Sequence, residues 1–152
     1  MALEGLNRLE VYKSAQELAG FVYQYVLPLL PVEERYGLCS QIRRAAASVP
    51  ANIAEGYGRY YYQETIRFCF LARGSLMELS SHFDLACSQG YISNESYEQL
   101  GAMMNSVLKL IHGYVKYLKQ SKRGWNEPGA SAISEAMIDY STPAESAPED
   151  LS

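Results

Sequence analysis

The stretch "RRAAASVPANIAEGYGR", Arg43 to Arg59, gathers side chains able to do chemistry. At about 100° per residue on an ideal helix, Arg44, Ser48, Asn52, Glu55 and Arg59 fall within roughly 80° of one another. Guanidinium, hydroxyl, amide and carboxylate groups on one face suit two tasks. They can hold one another and neighbouring helix ends, with Glu55 reaching Arg59 four residues on and Arg44 reaching Ser48. They can also line a site for a polar ligand. Hydrolysis asks for more: a second carboxylate, a histidine, or a nucleophile beside a base. The sequence sets none of these there. The stripe therefore reads as a structural polar network, and no catalytic residue is assigned. The alternative is a small-molecule-binding or enzymatic bundle using Arg44, Asn52, Glu55 and Arg59.

A second constellation lies near residue 110. Lys109, His112, Lys116, Lys119 and Arg123 also share about 80° of a helix, with Lys122 beside them. No acid follows Glu98 until Glu127. A one-sided row of cations is the electrostatic form of a phosphate-binding surface. Lys109, Lys116, Lys119, Lys122 and Arg123 are thus candidate contacts to RNA or DNA; an ordinary solvated helix face is the plainer reading.

Other chemistry finds no support. His82 and His112 belong to no HExxH or Cys/His pattern, and Glu64 and Glu78 make no ExxH pair, so no metal is expected. No Walker loop, GxGxxG or GxSxG occurs, and no cofactor is expected. Cys39, Cys69 and Cys87 form no CxxC pair and sit in apolar settings, which fits reduced core thiols in a cytoplasm.

These side chains need helices to position them. Val11, Ala15, Leu18, Val22, Tyr25 and Leu29 recur at helical spacing and predict a first helix from about Leu9 to Leu30. Pro28 and Pro31 end it. A second helix is predicted from about Val32 to Tyr57, with Leu38, Ile42, Ala45, Ala46, Val49 and Ile53 facing the core. Gly56 and Gly58 would supply its left-handed cap. Pro50 lies within it, removing a hydrogen bond and pressing on the Ala46 carbonyl, so a kink is expected. Ala47, Ala51, Ala54 and Gly58 make a small-residue stripe that lets another helix approach.

A third helix reads from about Tyr62 to Ser88, ending at Gly90. Its core stripe is Phe68, Cys69, Ala72, Leu76, Leu79, Phe83 and Ala86. Ile66, Phe70 and Met77 fall on a second side, about 120° or more away. An isolated bundle has no use for that second stripe, so these three are the candidate oligomer interface. Ser93 is a good N-cap for a fourth helix running to about Gln120. The fold class is all-α: an antiparallel up-down-up-down four-helix bundle with a kinked second helix.

The formal net charge of −4 is unevenly spread. In residues 1–123, 13 Lys and Arg face 11 Asp and Glu, a net of +2. Residues 124–152 hold six acids and no base, and are rich in Gly, Pro, Ser and Ala. They read as an acidic, mostly disordered C-terminal tail behind a bundle spanning 1–123. No apolar run is long enough for a membrane helix, and no secretory signal is visible.

The stretch "QIRRAAASVPANIAEGYGR", followed by "RFCFLARGSLMEL", resembles the four-helix-bundle family of S23-type proteins encoded in intervening sequences of bacterial large-subunit ribosomal RNA genes. That family is similar to the accessory variability determinant of diversity-generating retroelements. The resemblance spans roughly Leu9 to Lys119. It implies a bundle with a kinked second helix and a ring-shaped homopentamer. It implies no known enzymatic reaction, and the retroelement relatives are implied to bind nucleic acid and a reverse transcriptase. Where such proteins usually cap the third helix with Ser or Thr, this chain has "RYYYQET". The combined expectation is a non-enzymatic, homo-oligomeric scaffold, with nucleic acid as a candidate partner.

Overall fold

The computed structural model describes residues 3–121. The tail, and with it Lys122 and Arg123 of the basic row, lies outside the described residues. A single short turn, α1 (Glu4–Asn7), precedes four longer helices: α2 (Glu10–Phe21), α3 (Leu38–Tyr57), α4 (Tyr62–Ser88) and α5 (Asn94–Gln120). No strand occurs among the described residues. Each long helix packs against its chain neighbours, and α5 closes back on α2, while the diagonal pairs barely touch. With short connections this is the up-down-up-down bundle expected from the pattern.

The core follows the predicted stripes closely. Ile42, Ala45, Ala46, Val49 and Ile53 of α3 meet Cys69, Ala72, Leu76, Leu79 and Phe83 of α4 and Leu100, Val107 and Ile111 of α5. In the first helix the pattern holds only as far as Val22. Tyr25 and Leu29, expected inside, are 55% and 51% exposed. The cause is a π-helical turn, Val22–Val26, followed by a 3₁₀ turn, Leu27–Leu29. The wider turn slips the buried face by one residue, so Val26 and Leu30 enter the core instead.

The second long helix begins later than its apolar pattern predicts. Val32–Glu34 is a separate 3₁₀ turn, and α3 starts only after Gly37. Glu34 makes the start: its Oε2 accepts the Leu38 amide at 2.9 Å, and Oε1 accepts the Tyr91 hydroxyl at 3.3 Å. A Cβ on Gly37 would lie 2.8 Å from that Oε2, so glycine leaves room for the capping carboxylate. Pro50 is buried within α3 and does not end it. Its missing N–H leaves the Ala46 carbonyl without its usual helical donor.

The expected left-handed cap at Gly56 or Gly58 is not what these glycines do. Gly58 has φ −76°. Gly56 is helical and buried where α3 crosses α4; a Cβ there would meet Phe68 Cβ at 2.7 Å and the Thr65 carbonyl at 3.1 Å. It is needed for close approach. The left-handed glycine is Gly90, φ +76°. It ends α4 in a Schellman motif, with Gly90 N–H donating to Cys87 O at 3.0 Å and Tyr91 N–H to Ala86 O at 2.9 Å. At the other end α4 starts at Tyr62 with no side-chain cap. Ser93 caps α5 as predicted, its Oγ accepting the Ser96 amide at 3.1 Å.

Candidate functional site

The polar stripe of α3 runs along the seam between α3 and α4. At one end Arg44 donates to Glu78 Oε1 at 2.8 Å and to Gln41 Oε1 at 2.6 Å. Glu78 Oε1 also lies 3.3 Å from His82 Nε2. In the middle the Ser48 and Ser75 hydroxyls share a 2.9 Å hydrogen bond. Asn52 Nδ2 donates to both Ser48 O and Ser48 Oγ, at 2.9 and 3.0 Å. At the far end Arg59 donates to Glu55 Oε1 at 2.9 Å and lies over the Phe68 ring, 4.8 Å from its centroid.

The five α3 residues thus form three short groups, each tied into its own surroundings. Arg44 reaches across to Glu78 instead of along its helix to Ser48. Helical periodicity did not single out Gln41 or, as partners on α4, Ser75, Glu78, His82 and Phe68, the last of which was expected in the core and is half-buried instead. The last four share one side of α4, a pattern visible in the sequence; what could not be seen was that this side turns toward the polar stripe of α3. The surface grooves among the described residues include three of about 360 to 420 Å³. None of these three is lined by Arg44, Asn52, Glu55 or Arg59. No group of His, Cys, Asp and Glu able to hold a metal occurs among the described residues.

On α5, Lys109, Lys116 and Lys119 are exposed. They take part in none of the ion pairs among the described residues. His112 departs from the row. It is half-buried, and its Nε2 has no hydrogen-bond partner among the described residues. Burial, and then the nearby Arg73 guanidinium, push its pKa down, which favours the neutral imidazole.

The candidate oligomer interface needs one correction. Ile66 is only 4% exposed and belongs to the chain's own core. Phe70 is half-buried and packs against the same core. Only Met77, at 42%, stands out from the surface, accompanied by Leu71 and Leu85, each at 49%. The wheel treated α4 as packed on one side, whereas it sits between α3 and α5 and buries a broader arc. The small-residue stripe fares differently: Ala47, Ala51 and Ala54 floor an open groove against α2, between Tyr12 and Tyr23.

The cysteines behave as core thiols. Cys39 and Cys69 are buried, Cys87 is half-buried, and all three are free. Burial pushes the Cys69 thiol up to about 12.

Fold and seam together describe an all-α bundle whose α3 polar stripe bonds partly within its own helix and partly across to α4. The chain belongs to the 23S rRNA-intervening sequence protein family, whose model matches residues 7–113. Among solved structures it is similar to a protein of unknown function from the S23 ribosomal protein family of Bacteroides thetaiotaomicron VPI-5482. The two are 24% identical with a TM-score of 0.63, covering 70% of this chain and 98% of that one. At that identity the likeness speaks for the fold. No curated protein matches the chain. No helix among the described residues is long and apolar enough to cross a membrane.

Proposed function

We propose that this protein is a non-enzymatic, homo-oligomeric scaffold of the cytoplasm that binds RNA or DNA through the basic face of α5. The observation that carries the reading is the row Lys109, Lys116 and Lys119: exposed cations on one helix face, each without an ion-pair partner among the described residues. Three such charges per subunit are modest alone. Repeated around an oligomer, with five subunits as the family resemblance implies, they gain avidity without any new contact. Leu71, Met77 and Leu85 on the outer side of α4 support self-association, since exposed apolar side chains in one region mark interfaces. The rival reading, a ligand-binding or enzymatic bundle, rests on the α3 stripe. It is the weaker because those side chains direct their polar atoms at one another and at α4.

The test is a salt titration of binding to mixed RNA and DNA oligomers. Affinity should fall steeply between ~50 and ~200 mM salt, because each neutralised phosphate releases counterion. The triple substitution K109E/K116E/K119E should abolish it. Absence of binding by the wild type at ~50 mM salt, where screening is weak, would leave the row as a solvated face.

A further inference from the structure

The antiparallel topology brings a set of tyrosines to one end of the bundle. Tyr57 closes α3, Tyr60 and Tyr61 form the connection to α4, and Tyr117 lies in the last turns of α5. Tyr57 and Tyr117, with Tyr62 of the first turn of α4, gather around Tyr114. Its hydroxyl is pushed up first by burial and then by the neighbouring Cys69, Tyr57, Tyr62 and Tyr117. Tyr114 is half-buried, as a tyrosine in a bundle should be. The others are not: Tyr60 is 82% exposed, Tyr117 64%, Tyr61 45% and Tyr57 42%. Tyr60 and Tyr61 stand edge to face, 5.0 Å apart at 85°, so two differently aimed rings meet solvent. A tyrosine left in water forgoes the large apolar burial that its ring offers. Several at one end form a surface with that burial still to be made.

Charge narrows what such a surface fits. Glu4, Glu10 and Glu55 at this end are paired with Arg8, Lys13 and Arg59. Glu64 is half-buried in the first turn of α4, where the helix dipole offsets its charge. Lys116 and Lys119, at the same end of α5, carry no ion pair among the described residues. Unpaired cations beside exposed aromatic rings match a polyanion with free π-faces. A duplex offers the anion but keeps its bases stacked on each other; a single strand offers both.

We propose that this end of the bundle binds single-stranded nucleic acid, stacking unpaired bases on Tyr60, Tyr61 and Tyr117 while Lys116 and Lys119 hold the backbone. The inference rests on the nucleic-acid reading of α5 and adds to it a strand preference and a second set of residues.

The experiment measures fluorescence anisotropy of the full chain with labelled oligo-U, oligo-dT and a mixed-sequence duplex, each of about 20 nucleotides, at ~50 mM salt. The wild type should bind the single strands at least about ten-fold more tightly than the duplex. Y60A/Y117A should weaken single-strand binding by at least about five-fold per tyrosine, the low end of what one base–aromatic stack contributes. Duplex affinity should not change, and Y60F/Y117F, which keeps the rings, should bind as the wild type does. Oligo-U against oligo-dT separates RNA from DNA as the favoured strand; a preference for either upholds the proposal. Equal binding of duplex and single strand, with Y60A/Y117A unchanged on both, overturns it and leaves the lysine row standing. No binding of any oligomer removes the lysine reading and this one together. Sedimentation of Y60A/Y117A completes the set: a smaller assembly with undiminished single-strand affinity would make these tyrosines a subunit contact and overturn the proposal.

Discussion

Ser48 and Glu55 sit seven residues apart on the same stripe, yet their environments call for different outcomes. The Ser48 hydroxyl is half-buried and shared between Ser75 and Asn52. Ser48→Ala strands the Ser75 hydroxyl in the seam and leaves Asn52 only the Ser48 carbonyl, and should cost about 1–3 kcal/mol in urea unfolding. Glu55 is 55% exposed and its one partner, Arg59, is 40% exposed. With the pair in solvent, the expected loss for Glu55→Ala is under about 1 kcal/mol. A large loss at Glu55 with none at Ser48 would mean that the seam is held in some other way. Cys69 gives a pH signature. Its thiol rises from an ordinary value of about 9 to about 12 on burial. Above pH ~9 the unfolded chain releases this proton and the folded chain keeps it. Stability should therefore be fully present below that pH and decline by up to about 1.4 kcal/mol per pH unit as pH rises toward 12. Urea melts at pH 8 and pH 10 check the sign, and Cys69→Ala should flatten the slope.

Among the elements, two glycines in the central helix pair make opposite forecasts. Gly56 lets α3 and α4 touch, and a methyl group there would overlap Phe68 Cβ and crowd the Thr65 backbone. Gly56→Ala should cost about 1–3 kcal/mol, the usual range for overpacking. Gly74 lies in the interior of α4, and a methyl group added there would meet no neighbouring atom within 4 Å. Within a single subunit Gly74→Ala should therefore stabilise, by about 0.5–1 kcal/mol, through helix propensity alone. Thermal melts of both variants decide the matter directly. Gly37→Ala is the third of the set: its Cβ would lie 2.8 Å from Glu34 Oε2 and displace the carboxylate that starts α3.

At the scale of the whole molecule the question is assembly. Sedimentation at micromolar concentration should give one species well above the 17.0 kDa of a single chain. Because Phe70 packs into the core, Phe70→Glu would unfold as readily as dissociate and is a poor probe. Met77→Lys, alone or with Leu71→Lys, changes only exposed positions. It should release monomers of unchanged helicity. Gly74→Ala links this to the helix scale, since a variant that melts higher as a monomer but no longer assembles would put another subunit against Gly74. A wild-type chain that stays at one subunit as concentration rises would sink the oligomer reading and, with it, the gain in avidity.

Helical periodicity was enough to predict four helices, most of their core faces, the Ser93 cap and the halt at Gly90, because these depend on residues within a few positions of one another. Val49 and Ile53 are buried because their own helix is amphipathic, whichever neighbour covers them. The apolar spacing also continued smoothly through Val22 to Leu29, where the backbone widens into a π turn; no local residue announces that slip, and packing of Val26 and Leu30 decides it. Gly56 read as a cap, and only α4 lying across it made it a point of close approach. Arg44 had Ser48 within reach along its helix, and only the arrival of Glu78 from 34 residues away gave it a stronger partner. Ile66 looked surplus on a wheel with one buried face and became core once α4 had neighbours on two sides. What the sequence determined was the content of each helix face; the tertiary structure decided which faces meet, because that depends on contacts between residues far apart in the chain.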